Sequence, residues 1–148
     1  MLRRFDGKPV SGRLVYRRSE HSLDVEPRPE RGAASLLVND VQIEIDEDGR
    51  LIYVWGLCPH ESWKPSTLDV PASKPGRLQY VGGEVVPGVS KRLNAGQRWN
   101  TSHDSSSQWL CIGDESAHGE MIAFAPGAVA VLKEAELVAL WVHPDVRG

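Results

Sequence analysis

Val41-Gln-Ile-Glu-Ile-Asp-Glu-Asp-Gly-Arg-Leu-Ile-Tyr-Val-Trp-Gly-Leu-Cys-Pro-His60 is the stretch on which the fold turns. Val41, Ile43 and Ile45 alternate with Gln42, Glu44 and Asp46, the period of two that marks a strand with one buried and one wet face. Glu47-Asp48-Gly49 breaks the alternation, and Gly49 can take the positive φ that a tight hairpin loop requires. Leu51 to Leu57 is the return strand. Leu51, Tyr53, Trp55 and Leu57 point one way, Ile52 and Val54 the other. Both faces are apolar, which places the strand in the middle of a sheet, covered on both sides. A slip of one residue would expose Ile43 and Ile45 together, so the register is well fixed.

Outward from this hairpin the same signals recur. Ser35 to Val38, Arg77 to Val81, Gln108 to Ile112 and Glu120 to Ala125 read as short strands, with Gly82-Gly83, Pro87-Gly88 and Pro126-Gly127 as turns. The apolar block Ala128 to Val142 contains helix formers, but its apolar residues cover every side. A hairpin turning at Lys133–Glu136 accounts for that better than a helix. Cys58 to Gly76 is long, irregular and rich in proline, the type of connection that often carries function when ordered. Residues 1–33 read as a polar lead-in with Arg13–Arg17 and Ser22–Val25 as edge strands. Glu26-Pro-Arg-Pro-Glu-Arg-Gly32 reads as a loop, since its prolines exclude a helix or a central strand. Residues 34–148 form a single β domain, one domain overall with the lead-in. The expectation is an all-β, single-domain antiparallel β-sandwich or partly open β-barrel with long polar loops.

The chain has 148 residues, a formal net charge of −3 and two cysteines. That length supports one sizeable core. No apolar run is long enough to span a membrane as a helix, and no signal peptide is visible, so a soluble, cytoplasmic protein is expected. The acidic balance argues against nucleic acid as a partner. Cys58 and Cys111 are too few for a disulfide scaffold and read as reduced, buried thiols.

The candidates for chemistry are sparse. Glu44, Asp46, Asp48 and Gly49 imitate the start of a calcium loop, but Trp55 stands where a bidentate Glu is needed. Glu44 and Asp46 read instead as the wet side of the hairpin. Zinc takes sulfur and imidazole ligands; Cys58, His60 and His103, with Cys111 or His118, are the weak candidates, lacking any matched pair. The expectation is no metal and no cofactor. No phosphate loop or nucleophile elbow is present in the sequence.

Trp63 and Trp99 lie in polar loops, unlike Trp55, Trp109 and Trp141 in apolar strands. A loop Trp either tucks back over the core, the reading favoured for each, or stands out as an anchor for a partner. If the two loops meet, Trp63, Trp99, His60, Glu61, His103 and Asp104 form an aromatic site with a polar rim. The leading expectation is a non-catalytic module binding a protein partner, in the manner of an immunity protein neutralising an enzyme. The alternative is a small hydrolase using loop His and carboxylate groups, with or without zinc. Exposed strand edges allow a monomer or a homodimer.

Overall fold

The computed structural model describes residues 1–94 and 96–148. The chain is nearly all β, in three sheets that close no barrel, a sandwich rather than a barrel. The strands in chain order are β1 (Leu2–Phe5), β2 (Arg13–Arg17), β3 (Ser22–Glu26), β4 (Ala34–Val38), β5 (Val41–Ile45), β6 (Leu51–Leu57), β7 (Lys64–Pro65) and β8 (Lys74–Pro75). They continue as β9 (Arg77–Tyr80), β10 (Ser90–Arg92), β11 (Thr101–His103), β12 (Leu110–Gly113), β13 (Glu120–Ala125), β14 (Ala128–Lys133), β15 (Glu136–Val142) and β16 (Asp145–Arg147). Short 3₁₀ turns lie at Arg18–Glu20 and His60–Ser62.

The first sheet has seven strands in the order β10-β4-β5-β6-β3-β2-β16, and the second has seven in the order β7-β11-β12-β15-β14-β13-β8. A two-stranded ribbon, β1 with β9, completes the set. Each large sheet is antiparallel at its centre and gains one parallel strand at each edge.

The hairpin that dominates the sequence is β5–β6, with Gly49 at φ 84° in its loop. Asp46 Oδ1 caps the loop, accepting from the backbone N–H groups of Asp48 and Arg50. As expected, β6 is the central strand of its sheet. Ala128 to Val142 is a hairpin, β14–β15. Its turn residues Glu134 and Ala135 both have positive φ, the conformation of a two-residue hairpin loop of type I′.

The core lies between the two large sheets. Ile43, Val54, Leu36, Leu23 and Tyr16 face Ile122, Phe124, Ala130, Leu140 and Leu110 from the other side. Two sequence expectations are corrected here. Residues 1–33 are not a lead-in at the margin: β2 and β3 are interior strands, and Leu2, Leu14, Val15, Tyr16, Leu23 and Val25 are all buried. The positions alternating with Leu14, Tyr16, Leu23 and Val25 carry Arg13, Arg17, Asp24 and Glu26 beside the buried Val15, which makes the segment polar on average while one face is fully apolar. Glu44, taken for a solvated residue, is buried. It sits on the outer face of the sheet opposite Tyr53, where the loop before β4 folds back over it.

The second sheet has an apolar outer face made of Cys111, Val129, Val131, Ala139 and Trp141. Residues 66–73 join β7 at one edge of this sheet to β8 at the other. This strap crosses the outer face and lays Leu68 onto that apolar cluster.

Candidate functional site

Two places gather side chains capable of recognition or chemistry. The first is the end of the first sheet where β3 begins and β6 stops. The 3₁₀ turn Arg18–Glu20 closes on His21, which takes a left-handed conformation at φ 53°. The Cys58 N–H donates to the His21 carbonyl at 2.7 Å, tying the start of β3 to the end of β6. The next turn, His60–Ser62, then brings His60 and Glu61 against His21. The two imidazoles stack with centroids 4.9 Å apart and planes 15° from parallel. Glu61 approaches both, at 3.3 Å from His21 Nδ1 and 3.6 Å from His60 Nε2. Its own backbone N–H holds its carboxyl below the usual range, with smaller help from the two imidazoles.

Beneath these groups lies an aromatic column. Trp63 packs on Tyr16 at 4.8 Å and on His103 at 4.7 Å. Tyr16 is fully buried and donates its hydroxyl hydrogen to the Cys58 carbonyl at 2.7 Å. Burial pushes the Tyr16 phenol up to about 12. His103 Nε2 is hydrogen-bonded to Gln108 Oε1 at 2.9 Å. Burial lifts the Cys58 thiol to about 11, opposed in part by the nearby Trp63 indole N–H, which disfavours the thiolate. Cys111 is lifted to about 12 by the same cause.

The pairing of β7 with β11 does bring the two Trp loops side by side. It does not expose both rings. Trp63 and Trp99 are each half-buried and packed on the core, the tucked arrangement. Trp99 lies over Gly113, and its backbone is latched to Asn39, which accepts from the Trp99 N–H and donates to its carbonyl. Asp104 points away from the His cluster. It accepts from the Leu68 and Ser106 N–H groups, which hold its carboxyl below the usual range and anchor the strap. His60, Glu61, Trp63 and His103 are therefore one neighbourhood, while Trp99 and Asp104 serve loop structure.

The zinc set Cys58, His60 and His103 does not converge. Among the described residues the metal-capable set is His21, His60 and Glu61. Cys111 lies in the outer apolar cluster of the second sheet, and His118 in the turn before β13. His21 was missed because it is remote in sequence and sits in a segment that reads as surface.

The second place is the outer face of the first sheet. An open cleft of about 430 Å³ is lined by Arg28, Arg31, Ser35, Gln42, Glu44, Tyr53, Trp55 and Ser90. Glu44 accepts from the Trp55 indole N–H and from the Gly32 N–H, each at 3.0 Å. Burial raises the Tyr53 phenol pKa, and the Glu44 charge raises it further. Arg28 is held by Asp24 at 2.7 Å. A neighbouring cleft of about 710 Å³ shares Arg31, Gly32 and Ala33 and extends to Ile52, Arg77 and Val85. The period-two pattern marks Trp55 as outward-facing with Tyr53, since Gln42 and Glu44 stand opposite them.

Comparison with protein-family models, with curated proteins and with solved structures finds no match to this chain. No helix is long and apolar enough to cross a membrane among the described residues.

Proposed function

We propose that the protein is a non-catalytic binding domain that recognises another protein through the outer face of the first sheet. The observation that carries this reading is the buried Glu44 holding the half-exposed Trp55 beside Tyr53, Arg28 and Arg31. Trp, Tyr and Arg are the residue types that dominate binding energy at protein interfaces. A ring already fixed by a hydrogen bond loses little freedom when a partner arrives. Arg28 is engaged by Asp24, so Arg31 is the arginine of this cleft left for a carboxylate on the partner. Neutralising an enzyme, as an immunity protein does, is one form such recognition would take. Two buried, unpaired cysteines support a reducing, cytoplasmic setting.

The test is capture on the immobilised protein, with variants run in parallel. One partner should be retained stoichiometrically and lost with Trp55→Ala and with Arg31→Glu, while Glu115→Gln on the other sheet keeps it. Equal retention by all three variants overturns the reading. A small hydrolase is the second reading, favoured by His60 beside Glu61. Turnover of ester, phosphoester or glycoside substrates that disappears in His60→Ala would put it first.

A further inference from the structure

We propose that His21, His60 and Glu61 form a binding site for a divalent transition-metal ion of the zinc type. The inference is independent of the protein-binding reading, which concerns the sheet face rather than this corner. The three donor atoms all lie within 4.8 Å of one another. Tetrahedral zinc with ligands at about 2.0–2.1 Å places neighbouring donors roughly 3.3–3.4 Å apart. His21 Nδ1 lies 3.3 Å from one Glu61 oxygen and His60 Nε2 lies 3.6 Å from the other, each close to that spacing. Two imidazoles and one carboxylate are a donor set typical of zinc, leaving a fourth position for water or another ligand.

Two features point specifically to a cation. The first concerns the His60 tautomer. Tyr16 spends its single hydroxyl hydrogen on the Cys58 carbonyl, yet its oxygen lies 3.3 Å from His60 Nδ1. The tyrosine oxygen can then only accept, so His60 Nδ1 carries a proton, and in the neutral ring this leaves the Nε2 lone pair on the side of Glu61. A second group that holds one imidazole nitrogen and frees the other is the usual support of a metal-binding histidine. The second feature is His21 Nδ1. It is shielded from solvent and has no hydrogen-bond partner, although a Glu61 oxygen lies 3.3 Å away. A buried nitrogen without a partner is costly, and a cation between it and the carboxylate removes that cost. For both lone pairs to converge, the nearly parallel rings must tilt about χ2, a broad and soft torsion in histidine.

The experiment is isothermal titration of chelator-stripped protein with Zn²⁺, checked by native mass spectrometry. One equivalent should bind saturably in the micromolar range. His21→Asn, which suits the left-handed backbone, and Glu61→Gln should each weaken binding at least tenfold. Tyr16→Phe should weaken it about tenfold through the His60 tautomer. His118→Ala, outside the cluster, should bind as the parent does. Circular dichroism of each variant establishes that it is folded before its titration is read. The proposal is overturned by absence of saturable binding, or by binding that survives both His21→Asn and Glu61→Gln unchanged.

Discussion

The outer faces of the two large sheets look out from opposite sides of one core and are built from opposite materials. On the first sheet the outward positions include Arg13, Arg17, Asp24, Glu26, Glu44, Tyr53, Trp55, Asp145 and Arg147, with the apolar Val15 and Leu37 among them. Glu26 accepts from both Arg17 and Arg147, binding three neighbouring strands by charge. On the second sheet the outward positions are Cys111, Val129, Val131, Ala139 and Trp141, and the strap lies across them. A face supplied with charge can meet water and remain available to a partner. An apolar face needs a cover, and here the cover is drawn from the chain itself. The contrast agrees with the recognition proposed for the first sheet and assigns the second to stability.

Removing the largest side chain under the strap should have the greatest effect. Trp141→Ala is expected to cost about 3–5 kcal/mol, the range for a buried aromatic, measured by urea denaturation. A cost below about 1 kcal/mol would mean that the strap face is not a true second core. Glu44→Leu should come next, at about 1–3 kcal/mol, because the Trp55 indole and the Gly32 N–H lose their acceptor. Tryptophan fluorescence of that variant should shift as Trp55 loosens.

Asp104 gives the comparison a pH dependence. Its folded pKa lies below its unfolded value. Its contribution is therefore present above the unfolded pKa, near 3.9, and is lost as pH falls through the folded one. Asp104→Asn should flatten the acid limb of a stability–pH curve below about pH 4; an unchanged limb would remove Asp104 as the strap's anchor. The smallest effect belongs to the charged face. Glu26→Gln should shift the thermal midpoint less than Glu44→Leu, since exposed ion pairs are screened by water and salt. A larger shift would show that the open face is also a structural one.

Legibility followed the same division. The β5–β6 hairpin announced itself through alternation and Asp48-Gly49. The β14–β15 hairpin was readable only because Ala128 to Val142 is apolar on every side. Its turn uses Glu134 and Ala135 at φ 53° and 66°, residues that carry no turn signal. The first strands were misplaced to the sheet edge because Arg13, Arg17, Asp24 and Glu26 hide Leu14, Tyr16, Leu23 and Val25 in any average. Glu44 was misjudged for the opposite reason: alternation gives the face, and only the returning loop decides whether that face is wet. At the candidate site, His60, Glu61, Trp63 and His103 were marked by their loops. His21 needed the sheet order, because β3 meets β6 only through pairing remote in sequence.

The strap also acts as a length gauge. Crossing seven strands from edge to edge takes roughly 29 Å, while the chain from Pro65 to Lys74 reaches at most roughly 30–32 Å. Residues 66–73 accordingly run without turn or bend. With so little slack, the segment sets a maximum separation for the two edge strands it joins. Deleting one residue such as Asp69 should strip β7 or β8 from its edge, whereas inserting a glycine there should leave both in place. Indel tolerance at this single segment is thus one-sided.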